Sequence, residues 1–131
     1  MNGNTAPTIS VAPADHRIVG WLVSYGLEPR GASFELRSGR VLITSTTGSK
    51  RDTVTIADPA VSSPHAAILA DGGKRTLTIQ DIFSESGTFI TRSGSSEEVR
   101  VSGPMELRHG DWIRIGTTVR LQVCLIHGSG R

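Results

Sequence analysis

Turn-forming residues interrupt this chain so often that it has nowhere to place a helix of ordinary length. No stretch of about ten residues carries a 3.6-residue apolar period without a glycine or proline breaking it. The segments PRG, SGR, TTGS, DGGK, SGSS, SGP and HGD instead separate short runs rich in β-branched and apolar residues. Those runs predict strands at 18–24, 32–36, 41–44, 53–56, 66–70, 76–80, 88–91, 98–101, 112–115 and 118–126. Several alternate with period two, as in Thr76-Leu77-Thr78-Ile79 and Val119-Arg120-Leu121-Gln122-Val123, so one face of each is apolar and the other polar. Strands of this length and spacing point to an all-β fold, an antiparallel β-sandwich of ten or eleven short strands.

Length and composition narrow the class. A chain of 131 residues fits one domain. We expect a disordered N-terminal tail at 1–15, a sandwich at 16–127 and a flexible end at 128–131. The net charge of +2 is small and its charges are scattered, so neither nucleic acid nor an anionic membrane is an expected partner. The apolar runs are far shorter than the ~20 residues of a membrane helix. The opening MNGNTAPTISVAPAD shows no basic start followed by an apolar block, hence no expected signal peptide. The single cysteine, Cys124, lies in the apolar run LQVCLI and is expected to be buried, which suits a reducing, cytoplasmic setting. His16, His65, His109 and His127 are far apart, without a cysteine or carboxylate at ligand spacing, so no metal or other cofactor is expected. Gly48-Ser49-Lys50 lacks the order of a phosphate-binding loop. Asp58, Ser62 and His65 are the residue types of a nucleophilic triad, but no oxyanion motif accompanies them. No catalytic residue is assigned, and an enzyme is not expected. Trp21 and Trp112 read either as core or half-buried strand residues or as anchors of a docking face.

Three segments carry more specific information: DPAVSSPHAAIL at 58–69, DIFSESGTFI at 81–90 and LRHGDWIRIG at 107–116. Ser62 and His65 stand three apart in a loop entering a strand, where both side chains can hydrogen-bond nearby backbone. Gly87 permits a tight turn after Ser86. His109-Gly110-Asp111 reads as a hairpin-type turn before the strand with Trp112 and Ile115. In this order, with a preceding Gly-Arg strand, the segments resemble the forkhead-associated (FHA) domain family over roughly residues 18–126. The resemblance implies an eleven-stranded sandwich that binds phosphothreonine peptides through loops at one end.

Residue by residue, it also implies a changed site. Ser45 and Thr46 stand where the family has a glycine and its phosphate-binding arginine. The serine that hydrogen-bonds phosphate is present as Ser62. The basic residue that often follows it is Ser63. Ser86 replaces the asparagine that grips peptide backbone, and Thr91 a second asparagine after the next strand. His65, Gly87 and Thr88 are expected to brace the loops. A phosphothreonine carries about −1.5 to −2 charges. An arginine fork meets it in a way a hydroxyl cannot copy. One lost hydrogen bond to a charged group costs roughly 1.5–3 kcal/mol, or about ten- to one-hundred-fold in affinity. Lys50 or Arg51 can restore charge from the 47–52 loop, or form a solvated turn with Asp52. The hydroxyls of Ser45, Thr46, Ser62, Ser63 and Ser86 can donate to an anion or cap turns. Two functions follow. One is an FHA-type recognition module for a threonine-, phosphothreonine- or acid-containing protein segment. The other is a phosphorylation-independent structural or targeting domain that assembles through a sheet face, as a homo-oligomer or beside a further domain.

Overall fold

The computed structural model describes residues 17–45 and 53–126. The expectations for the 1–15 tail, Thr46, Lys50, Arg51, His16, His127 and the 128–131 end therefore lie outside the described residues. Within them the chain forms eleven strands. These are β1 (Ile18–Ser24), β2 (Ala32–Arg37), β3 (Gly39–Thr44), β4 (Thr53–Thr55), β5 (Ala66–Asp71) and β6 (Thr76–Asp81), then β7 (Thr88–Thr91), β8 (Glu98–Arg100), β9 (Met105–Leu107), β10 (Trp112–Ile115) and β11 (Val119–Leu125). They build a five-stranded sheet, β9-β6-β5-β3-β4, and a six-stranded sheet, β2-β1-β11-β10-β7-β8.

The period-two patterns decide which faces meet. In β5 Ala66, Ile68 and Ala70 are buried, whereas in β11 Val119, Leu121 and Val123 are. Ile43, Val54, Leu77, Ile79 and Leu107 extend the first apolar face; Leu22, Leu36, Ile90, Ile113 and Ile115 extend the second. The two faces close on each other as one core. Burying each large side chain contributes about 1.5–3 kcal/mol relative to exposure.

Four features depart from the sequence reading. β4 runs parallel to β3, pairing Leu42 with Thr53 and Thr44 with Thr55, within an otherwise antiparallel pattern. β9 was not anticipated. It has three residues, only one of them buried, so no alternation announces it, and its pairing with Leu77–Ile79 of β6 alone defines it. The turn through Gly110 is not a hairpin, because β9 belongs to the five-stranded sheet and β10 to the other. It is held by Asp111, 1% exposed, whose carboxylate accepts the Arg108 amide at 2.7 Å and Arg92 Nη1 at 2.5 Å. Finally, Cys124 is half-buried, not buried. Leu121 and Val123 take the inward positions, so strand alternation turns Cys124 to the outer face, opposite Trp21.

That outer face also resolves the two tryptophans as half-buried strand residues. Arg120 lies over Trp112, 5.2 Å from the ring centroid, and Arg114 lies 4.2 Å over Phe89 while pairing with Glu98.

Adjacent residues of β5 offer a direct check. Ile68 is 0% exposed and Leu69 57%. Ile68→Ala is expected to cost about 2–5 kcal/mol in urea denaturation, and Leu69→Ala less than about 1 kcal/mol. Equal losses would mean that β5 buries the other face.

Candidate functional site

At one end of the sandwich the end of β3, the β4–β5 loop, the β6–β7 loop and the turn after β10 come together. His65 joins them. It lies just before β5 and is 0% exposed. Its amide donates to Ile43 O at 2.8 Å, and its carbonyl accepts the Ile82 amide at 2.9 Å. Its ring reaches across the loops. The Ser62 amide donates to Nδ1 at 2.9 Å, so Nδ1 accepts and the ring proton sits on Nε2, which donates to Gly87 O at 2.9 Å. One imidazole therefore ties the β4–β5 loop to the β6–β7 loop. It takes the amide of Ser62 and not the hydroxyl, so no nucleophile–base pair exists here. Asp58 is engaged elsewhere, its Oδ1 accepting the Ala60 amide at 2.8 Å.

Asp81 organises the β6–β7 loop from within. Its carboxylate accepts the Ser84 amide at 3.1 Å, the Ser84 hydroxyl at 2.5 Å and the Thr88 hydroxyl at 2.7 Å. Ser84 Oγ in turn accepts the Gly87 amide at 3.0 Å. Burial pushes the Asp81 carboxyl up, but the bonds from Ser84 and Thr88 outweigh it and hold the group below its ordinary value. Asp81 and Ser84 lie in the segment DIFSESGTFI that carries the family resemblance, but the sequence reading assigned neither a role in the site. The Asp-x-x-Ser spacing, typical of a side chain closing its own turn, was the available signal.

Two glycines let the loops approach. Gly87 has φ +91° and is buried. Gly116, after β10, has φ +63°, and a Cβ there would lie 2.4 Å from Ala60 Cβ.

The anticipated residues separate clearly. Ser45, Ser62, Ser63 and Ser86 gather at this end with His65, Gly87 and Thr88. The Ser45 amide donates to Ser62 O at 3.3 Å. Ser63 Oγ lies 3.0 Å from Thr44 Oγ1. The Ser86 hydroxyl donates to Ala60 O at 2.6 Å, so it holds a turn. Ser62 differs. Its Oγ accepts the Glu85 amide at 3.0 Å, and no described residue accepts its hydroxyl proton. Thr91 does not join the cluster. It pairs with Trp112 while Thr88 pairs with Ile115, which puts Thr91 at the far end of β7. A four-residue strand spans about 10 Å from first to last residue, and that separates Thr91 from Gly87.

Among the described residues no group of His, Cys, Asp or Glu is placed to hold a metal ion, and no helix is long and apolar enough to cross a membrane.

A two-sheet sandwich whose loops converge at one end around a buried histidine is the architecture of a recognition domain. The chain belongs to the FHA domain family, whose model matches residues 32–116. Among solved structures it is similar to the FHA domain of an Arabidopsis thaliana hypothetical protein, with 21% identity, TM-score 0.67, and 94% of this chain and 98% of that one covered. It is also similar to the FHA domain of the Chlamydia trachomatis CT664 protein, with 22% identity, TM-score 0.64 and coverage of 82% and 99%. A third is the FHA domain of human APLF in complex with an XRCC1 bisphospho peptide, with 21% identity, TM-score 0.63 and coverage of 82% and 99%. No curated protein sequence matches the chain.

Two outcomes test this frame. His65→Ala removes the partner of the half-buried Ser62 amide, leaves Gly87 O with only the long 3.5 Å bond from the Gly116 amide, and opens a cavity, and is expected to cost about 2 kcal/mol by chemical denaturation. Asp81 has a depressed folded pKa, so its stabilisation is present above the unfolded carboxylate pKa of about 4 and is lost as pH falls through the folded value. The stability gap between wild type and Asp81→Asn should therefore be full near pH 6 and shrink below about pH 4. A gap that stays constant down to pH 2 would contradict the hydrogen-bond account.

Proposed function

We propose that the loop end carrying Ser62 receives a protein segment containing a phosphothreonine or an acidic residue, with Ser62 as its hydroxyl donor. The observation that carries this is the state of that hydroxyl. The Glu85 amide fixes the oxygen, leaving the O–H to donate outward beside an exposed rim of Ser63 and Glu85. Ser86 is committed to Ala60 and does not offer its proton. One neutral donor meets a phosphate more weakly than an arginine fork does, so affinity is low by this group alone. The charge is proposed to come from Lys50 or Arg51, which lie between β3 and β4 in sequence.

The sheet-face alternative is less well supported. Phe89 and Trp112 on the outer face are already covered by Arg114 and Arg120 of the same sheet, which reduces the apolar surface open to a partner. In this proposal the domain at 16–127 serves as a cytoplasmic adaptor module and not as an enzyme. It acts on a protein partner, with no cofactor, nucleic acid or membrane insertion.

Fluorescence titration with phosphothreonine peptides and their unphosphorylated counterparts tests the assignment. Wild type is expected to favour the phosphorylated set, and Ser62→Ala to weaken binding by about tenfold or more. Thr46→Arg with Ser86→Asn is expected to strengthen phosphopeptide binding by about ten- to one-hundred-fold while the domain stays folded. A folded double variant that gains nothing would show that the site has been aligned wrongly. Identical titration curves for the two peptide sets would remove the phosphate from the function.

A further inference from the structure

The outer face of the six-stranded sheet carries an arrangement that the fold does not need. Cross-strand pairing sets Arg120 of β11 opposite Arg114 of β10, Arg114 opposite Phe89 of β7, and Phe89 opposite Arg100 of β8. Three arginines thus share one row across four adjacent strands. Like charges directly opposite each other on a sheet destabilise it, so Arg120 beside Arg114 opposes folding. One carboxylate relieves it. Glu98 pairs with Arg114, and its carboxyl is held below the ordinary value by those hydrogen bonds first, and also by the charges of Arg114 and Arg120. Arg114 is thereby spent, because its Nη1 donates to Gly116 O. Arg100 and Arg120 are left. Both are exposed, and among the described residues neither meets a carboxylate at ion-pair distance. Both lie against rings, Arg100 5.7 Å from the Phe89 centroid and Arg120 5.2 Å from that of Trp112. Stacking holds a guanidinium plane in advance, and a held fork loses less freedom when it meets a carboxylate.

We propose that this row is a docking surface for an acidic segment of a partner protein, which lays carboxylates on Arg100 and Arg120. It uses strand residues of the sheet face and neither Ser62 nor a phosphate. Neighbouring strands lie about 4.8 Å apart, so three strand spacings put the two arginines about 14 Å from each other. An extended segment rising about 3.4 Å per residue brings acidic side chains four positions apart over both. The surrounding charge selects a short acidic segment over a continuous polyanion. The adjoining outward row is Gln122, Trp112, Thr91 and Glu98, neutral or negative, and the net charge of the chain is only +2. A nucleic-acid backbone or an anionic bilayer calls for a broader basic field than one row.

Fluorescence anisotropy on the full chain tests this with a labelled, unphosphorylated Glu-Ser-Glu-Ser-Glu peptide and its Gln-Ser-Gln-Ser-Gln counterpart. Wild type is expected to bind the acidic peptide and to bind the glutamine peptide about fivefold or more weakly. Arg100→Gln with Arg120→Gln should weaken the acidic peptide by the same factor in a folded domain, and Ser62→Ala should leave its binding unchanged. On wild type alone, added salt should release the acidic peptide. Equal binding of the two peptides, or of neither, overturns the proposal. Acidic-peptide binding that survives both arginine replacements overturns it as well, and so does loss on Ser62→Ala, which would move the carboxylates to the loop end. Tighter binding of a DNA duplex or of phosphatidylserine vesicles than of the peptide, lost in the same double variant, overturns the choice of a protein segment.

Discussion

The imidazole of His65 makes the loop end of this domain a single object. Two loops far apart in sequence are joined through a buried side chain there, beside the bonds from the Glu85 amide to Ser62 Oγ and from the Ser86 hydroxyl to Ala60 O. The ring accepts the Ser62 amide on one side and donates to Gly87 O on the other, with no exposure to water. In that low-dielectric setting each bond is stronger than at the surface, and each partner is costly to leave unpaired. The positions of Ser62 and Glu85 follow from this crosslink, because each is within two residues of an atom it holds.

Around it the Asp81 network does the same for a shorter range. A carboxylate that accepts three donors from Ser84 and Thr88 closes the β6–β7 loop on itself and leaves its tip no freedom to fold inward. Rigid presentation has a functional meaning. A segment that binds a fixed loop orders only itself, which lowers the entropic cost of recognition. The hydroxyl-rich composition of the end, by contrast, is mostly structural. Ser84 and Ser86 spend their protons on Asp81 and Ala60, and Ser63 lies against Thr44. Ser62 is the exception, and the proposed chemistry concentrates there for that reason.

The outer face of the six-stranded sheet shows how a domain can display aromatic residues without making them sticky. Phe89 lies beneath Arg114, whose guanidinium also pairs with Glu98 through Nε at 2.7 Å and Nη2 at 2.8 Å. That pairing raises the Arg114 pKa through its hydrogen bonds to Glu98. Phe83 has no such cover. Two phenylalanines of one short segment thus differ in cover: Phe89 lies under a guanidinium and Phe83 is exposed.

Local pattern was enough to read ten of the strands, the inward faces of β6 and β11, the loop positions of Ser62 and His65, and the family. Alternation and turn residues are properties of neighbouring positions, and a chain displays them whether or not it is folded. The β9 strand, the parallel β3–β4 pair, the outward turn of Cys124 and the crossing of the Gly110 turn between sheets were not legible there. Each depends on which strand lies alongside, and pairing between distant segments leaves no period in the sequence. The same holds for the site. The sequence placed Ser62, as the retained phosphate serine, and Ser86 and Thr91, as replacements of two asparagines, at one site. Only the folded chain separated them, committing Ser86 to Ala60, placing Thr91 at the far end of β7 and leaving Ser62 with a proton to give. Hydrogen-bond partners and strand ends are set by three-dimensional proximity, which composition and spacing do not encode.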